Sequence, residues 1–232
     1  MKYFRSPWLS IFLLITLCFL SFWSPKARAG QKEENNICFR WAFGAMVGLE
    51  NDRRLVAITR DTTLKTGDQL KLLVELKKKC FVYLIYHSGQ NELHMLFPYE
   101  TPQFSMDPET GKKYYIPQGT KWFELDKQTG LETFYLLASA ERLSGLEVLM
   151  KKYVCAGQSD KQGLVKEVLA EIQKAKRKYR TLTAPAERPV SIGGSVRGTG
   201  KNKKLSPSDI DPIAEEVSTT NFYSRTFTID HR

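Results

Sequence analysis

The chain has 232 residues, a formal net charge of +10 and 42% apolar residues, with aromatics making up 12% of the total. That apolar content excludes an intrinsically disordered chain and allows a real core. The length suits one domain with elaborations, or one domain plus a small appendage, and excludes a large multidomain assembly.

The first 29 residues set the location. Lys2 and Arg5 form a short basic start, Trp8 to Trp23 an uncharged apolar run, and Ala27-Arg28-Ala29 the small residues that a signal peptidase reads. This pattern is a secretory signal and predicts a mature chain beginning at Gly30. The apolar run of 16 residues falls short of the ~20 that cross a bilayer, so an uncleaved anchor is the weaker alternative. A lipoprotein signal is disfavoured too. Cys18 lies inside the run, and Ile15-Thr16-Leu17 before it are not small. Cleavage removes Lys2, Arg5, Lys26 and Arg28 with no acid, which takes the charge from +10 to +6. A moderately basic exported protein is attracted to anionic lipid or polyanionic glycan. Nucleic acid is not an expected partner for it. Cys38, Cys80 and Cys155 remain in the mature chain, an odd number. One pair could bridge outside the cytoplasm. Which pair stays open, and three buried thiols acting as small hydrophobes fit equally well.

The elements follow in chain order. Residues 30–36 are polar. Ile37, Phe39, Trp41 and Phe43 then alternate with Cys38, Arg40 and Ala42, the period of a strand. Gly44 to Asn51 reads as a hairpin-type connection and Arg54 to Arg60 as a second short strand. Leu64 to Asp68 is a turn, and Gln69 to Leu76 a strand with Leu70, Leu72, Val74 and Leu76 on one face. Phe81 to His87 and Glu92 to Phe97 form a hairpin about Ser88-Gly89-Gln90-Asn91. Both of its faces are apolar at the base, as for a central pair covered on both sides. If His87 faces Glu92, then His87, Glu92 and His94 share a face.

Residues 98–120 form a long connection holding one short strand at Tyr114-Tyr115-Ile116-Pro117. Lys121 to Leu125 and Glu132 to Ala138 read as two further strands. Ser144 and Glu147 predict a capping box opening a helix with Leu146, Leu149, Met150 and Tyr153 at helical spacing. Ser159 or Asp160 caps a second helix, with a stripe of Leu164, Val168, Leu169, Ile172 and Tyr179. Lys174, Lys176, Arg177 and Lys178 fall on its solvent side. Residues 191–206 are rich in Gly, Lys and Ser and read as a loop. Asp211-Pro212 can start a short third helix through Val217. Tyr223 to Ile229 closes the chain as a strand. A lone final strand must pair with a sheet made earlier. The helices are therefore an insertion, about 143–217, in one mainly β domain spanning 30–232, with the final strand at 222–230.

The order of the Gly67-Asp68 turn, the strand Cys80-Phe81-Val82-Tyr83-Leu84-Ile85-Tyr86, Leu96-Phe97-Pro98, Ile116-Pro117 and Phe134-Tyr135-Leu136-Leu137-Ala138-Ser139 resembles a bacterial exported module, domain of unknown function 4384. The resemblance covers about residues 55–140 plus the last strand. It implies an immunoglobulin-like antiparallel β-sandwich, often attached to other domains as a binding or sensing accessory. It carries over no catalytic residues, and a shared fold does not set function.

Chemical candidates are few. His87, Glu92 and His94 on one hairpin face could hold zinc or copper with a fourth ligand; a solvated hairpin tip explains them as well. Ser195, between Gly193-Gly194 and Gly198, misses the nucleophile-elbow spacing by one residue. Gly200-Lys201 lacks both the earlier glycine and the following Ser or Thr of a phosphate loop. Tyr114, Tyr115 and Trp122 lie in or beside the long connection and are the best candidates for an aromatic binding surface. The sequence therefore points to a periplasmic, non-catalytic binding or assembly subunit of the bacterial envelope that needs no cofactor. It would recognise a protein or glycan partner through loops or a strand edge. The runners-up are a small envelope enzyme acting on glycan or peptide, and a metal-carrying periplasmic protein. N-terminal sequencing of the protein from cells should read from Gly30; chains still starting at Met1 in membrane fractions would make it an anchored protein.

Overall fold

The computed structural model describes residues 35–48, 53–105, 109–180 and 207–232. The N-terminal segment read as a secretory signal and the Gly/Lys-rich stretch, with Ser195, lie outside them. The strands are β1 (Asn36–Val47), β2 (Arg54–Ala57), β3 (Asp61–Leu64), β4 (Gln69–Leu76), β5 (Phe81–His87) and β6 (Leu93–Phe97). They continue with β7 (Lys113–Ile116), β8 (Phe123–Glu124) and β9 (Gly130–Ser139). Two helices follow, α1 (Ser144–Cys155) and α2 (Gln158–Arg180), then β10 (Glu215–Thr220) and β11 (Phe222–His231). One sheet runs β10-β1-β4-β7, with β2 beside β1 and β8 beside β4. The other runs β3-β11-β9-β5-β6.

The two sheets pack through the alternating residues that the sequence exposes. Phe43 of β1 meets Phe134 of β9 at 4.8 Å and Phe227 of β11 at 5.3 Å between ring centroids. Trp41 meets Phe227 at 5.1 Å. Leu70, Leu72, Val74 and Leu76 join this core from β4 as one face. Each fully buried large side chain contributes about 1.5–3 kcal/mol of transfer free energy.

Both outer faces are also covered. α1 and α2 lie over the second sheet, where Leu146, Met150, Tyr153, Val165, Val168 and Ile172 pack on Tyr83, Ile85 and Leu137. A 3₁₀ segment, Pro207–Ile213, sets Ile210 against Ala42 and Leu73 on the first sheet. β5 is thus apolar on both faces because both are buried: Val82 and Leu84 point into the sandwich, Tyr83 and Ile85 under the helices.

Several expectations are corrected. β1 runs on through Gly44 to Val47. A Cβ on Gly44 would meet Ile213 Cδ1 at 2.8 Å, so the glycine lets the 3₁₀ segment close down on the strand. The segment expected to be a helix through Val217 is instead the 3₁₀ turn followed by β10, whose Val217 pairs with Phe39 of β1 and enters the core. Tertiary pairing along the edge of β1 outweighs the local helix signal. Asp61–Leu64 forms β3, which pairs in parallel with β11. Lys176 is not on the solvent side: it donates to Thr226 Oγ1 at 2.8 Å and lies over the Tyr135 ring.

At the end of the sandwich where β4 begins, Lys71 is fully buried. Its ammonium donates to the carbonyls of Pro117 and Gly119, each at 2.8 Å, and of Lys121 at 2.5 Å. Three donors meet three acceptors, so the charge is satisfied and loop 117–121 is tied to β4. Burial lowers the lysine pKa to about 8. Lys71→Met should lower stability by ~1–3 kcal/mol in urea denaturation at pH 7, because the loop carbonyls lose their donors. Between pH about 8 and 10.5 the unfolded chain holds this proton and the folded chain does not. The wild-type advantage over Lys71→Met should therefore rise with pH across that window; a fall would contradict the assignment.

Candidate binding cleft

The registers bring several junctions to one end of the sandwich. Phe39 pairs with Leu76, Glu75 with Lys113, and Ser139 with both Phe81 and Phe222. The β4–β5 turn, the end of the β6–β7 connection and the β9–α1 junction therefore meet there. Between them lies a half-open cleft of about 110 Å³. Phe81 and Tyr83 of β5, Phe97 at the end of β6 with Pro98 after it, Phe104 of a 3₁₀ turn (Thr101–Ser105) and Tyr114 of β7 supply its apolar walls. Two ion pairs complete the lining, Arg142 with Glu147 and Lys112 with Glu109.

Glu147 organises this wall. It is 8% exposed. Its Oε1 accepts from the Tyr83 hydroxyl at 2.7 Å and from Arg142 Nη1 at 3.3 Å. The Leu143 N–H donates to the same tyrosine oxygen at 3.1 Å. The expected capping box does not form: Leu143 is the N-cap residue, and it supplies no side-chain cap to the first turn. Glu147 turns to Tyr83 and Arg142 instead, and the tyrosine of another element takes the N–H that a capping side chain would accept. Burial and the Glu147 acceptor both push the Tyr83 hydroxyl pKa well up. Cations lie over the aromatic walls: Arg142 over Phe81 at 4.7 Å, Lys151 over Phe104 at 5.7 Å and Lys112 over Tyr114 at 5.4 Å. Burial and Tyr114 push Tyr99, behind Tyr114, up to about 12.

Tyr114, Tyr115 and Trp122 do not come together. Tyr114 reaches the cleft, 5.0 Å from Phe97. Tyr115, next along the strand, points to the opposite face and donates to Asp211 Oδ1 at 3.0 Å. Trp122 stands at the other end, its ring 6.0 Å from Lys71 Nζ.

His87, Glu92 and His94 do not share a face either. His87 pairs with Leu93 and Tyr86 with His94, one residue away from the expected register. Ser88, not His87, closes the loop opposite Glu92, donating its N–H to the Glu92 carbonyl. Asn91 at φ 63° makes the three-residue loop possible. His94 and Glu92 stay together at 3.8 Å, both about half exposed, while His87 meets Asn91 Oδ1 at 2.9 Å. Among the described residues, no group of three His, Cys, Asp or Glu is arranged to hold a metal ion.

Residues 63–142 match the family model described as Domain of unknown function (DUF4384). The resemblance read from the Gly67-Asp68 turn to Ser139 is borne out over that span. No curated protein and no solved structure matches the chain. The DUF4384 segment supplies every wall of the cleft except Glu147, and it ends at Arg142, immediately before the helices.

Sequence reasoning missed Phe81, Phe104, Arg142 and Glu147, and it counted Tyr83 among the possible surface aromatics without ranking it with Tyr114, Tyr115 and Trp122. The available signal was Tyr83, a hydroxyl on the second buried face of a central strand, which needs a partner from the layer above it.

The cysteines separate by environment. Cys155 is exposed, Cys38 is half-buried beside Glu216, and Cys80 is buried. Burial pushes the Cys80 thiol up to about 12. In timed thiol labelling of reduced protein, Cys155 should react first and Cys80 only after denaturation. Tyr83→Phe should cost ~1–3 kcal/mol in urea denaturation by stripping Glu147 and Leu143 of their partner.

Proposed function

We propose that this protein is an exported, periplasmic, non-catalytic binding or assembly subunit of a bacterial envelope system, and that it recognises a protein partner at the aromatic cleft. The supporting observation is the convergence of the DUF4384 segment's separate strands and its long connection on one half-open, aromatic-walled hollow. Such concave sites with few polar groups are where proteins take up ligands and anchor residues. Loops are favoured over strand addition at β6. Its Leu93 N–H already donates to the Tyr153 hydroxyl at 3.0 Å, and a bulge interrupts the strand between its pairings to Leu84 and Ile85. An immunoglobulin-like assignment of the sandwich belongs to the same reading, supported by two stacked and largely antiparallel sheets. A photo-crosslinking residue at position 112, on the cleft rim, should capture one envelope protein in living cells. The same residue at exposed position 127, at the far end, should not. Equal capture from both positions, or none from 112, would remove the cleft from the proposal.

A further inference from the structure

Accepting the cleft as the recognition site, its chemistry narrows what enters. Its volume of about 110 Å³ is on the scale of a single ring, since an apolar cavity of roughly 150 Å³ holds benzene. The walls that meet such a ring are themselves aromatic: Phe81, Tyr83, Phe97 and Tyr114. One polar atom stands apart. Glu147 Oε1 takes two hydrogen bonds, whereas Glu147 Oε2 accepts none among the described residues, although the side chain is nearly buried and lines the cleft. Oε2 is not sealed from water, so it can accept from a donor that enters the cleft. An anionic acceptor would be drawn to Arg142, Lys112 and Lys151 but would bring Oε2 no donor. A cationic ligand would be placed beside the Arg142 guanidinium, which already pairs with Glu147 at 3.3 Å, with Lys151 and Lys112 on the neighbouring rings. A neutral donor avoids both drawbacks.

We propose that the cleft receives one uncharged aromatic ring bearing an O–H or N–H donor, a phenol or an indole, with the donor hydrogen-bonded to Glu147 Oε2. The same chemistry is offered by a Tyr or Trp side chain of a partner and by a free phenolic or indolic molecule.

The test is an NMR titration of the full exported protein with p-cresol, toluene and 4-methylbenzylamine. p-Cresol should bind about tenfold tighter than toluene, the worth of one hydrogen bond to a charged acceptor, and tighter than the amine. Glu147→Gln puts a donor where Oε2 stood; it should abolish the p-cresol advantage and leave toluene unchanged. Gln103→Trp fills the mouth without touching the carboxylate and should weaken both ligands, which keeps the test decisive if the Glu147 variant does not fold. N-acetyltyrosinamide binding as well as p-cresol assigns the site to a partner's side chain, and its exclusion assigns it to a free molecule; both support the proposal. Toluene equal to p-cresol, preference for the amine, or no effect of Gln103→Trp overturns it. Crosslinking from position 112 reports separately. Capture of a partner with no aromatic selectivity would leave the recognition site standing and remove only its proposed ligand.

Discussion

The structure depends on the burial of β5 from both sides. Val82 and Leu84 fill the sandwich, and Tyr83 and Ile85 fill the space beneath the helices. A strand apolar on both faces cannot border water, so the second sheet requires a further layer. α1 and α2 are that layer. They follow the DUF4384 segment in the chain, yet they cover residues within it, so segment and helices share one buried cluster and are structurally interdependent.

The same strand makes the cleft. Among the described residues, Tyr83 is the only contact in the helix layer where a strand hydroxyl meets a helix carboxylate and a helix N-terminus at once. It holds Glu147 and the Arg142 side together while Phe81, two residues earlier on the same face, forms the adjoining wall. The opposite end of the sandwich is organised by a different device, Lys71 inside a ring of loop carbonyls. One end is thus closed by a charge tied internally, whereas the other keeps a half-open aromatic hollow. That contrast is why the cleft, rather than the lysine site, is read as the place where something binds.

Alternation of apolar residues made β1, β4 and β11 legible, because a period of two with one buried face has few competing explanations; β5 and β9 were legible as short apolar runs next to turn residues. The helices were legible from their stripes, though the capping box was not realised. Its local pattern was correct for an isolated helix and lost to Tyr83, a partner 64 residues away. Val217 shows the same competition: Asp-Pro is a sound helix start, but the open edge of β1 took the residues that follow. The hairpin erred by one residue. Counting Asn91 as an ordinary loop position, rather than as the left-handed residue of a three-residue loop, put His87 opposite Glu92 and turned every side chain of β6 to the wrong face. A bulge before Phe97 then restores that residue alone to the core.

By itself, the sequence determined the mainly β character with helices before the last strands, and the DUF4384 resemblance. These rest on periodicity, composition and motif order, all of which are local along the chain. Only the tertiary structure decided which aromatics meet, where Glu147 points, that Lys71 lies inside, and that Tyr114 parts from Tyr115 and Trp122. Those outcomes depend on register and on layers packed across long sequence separations. A shift of one residue reverses a strand's faces, and no local pattern in the chain records which partner will be opposite.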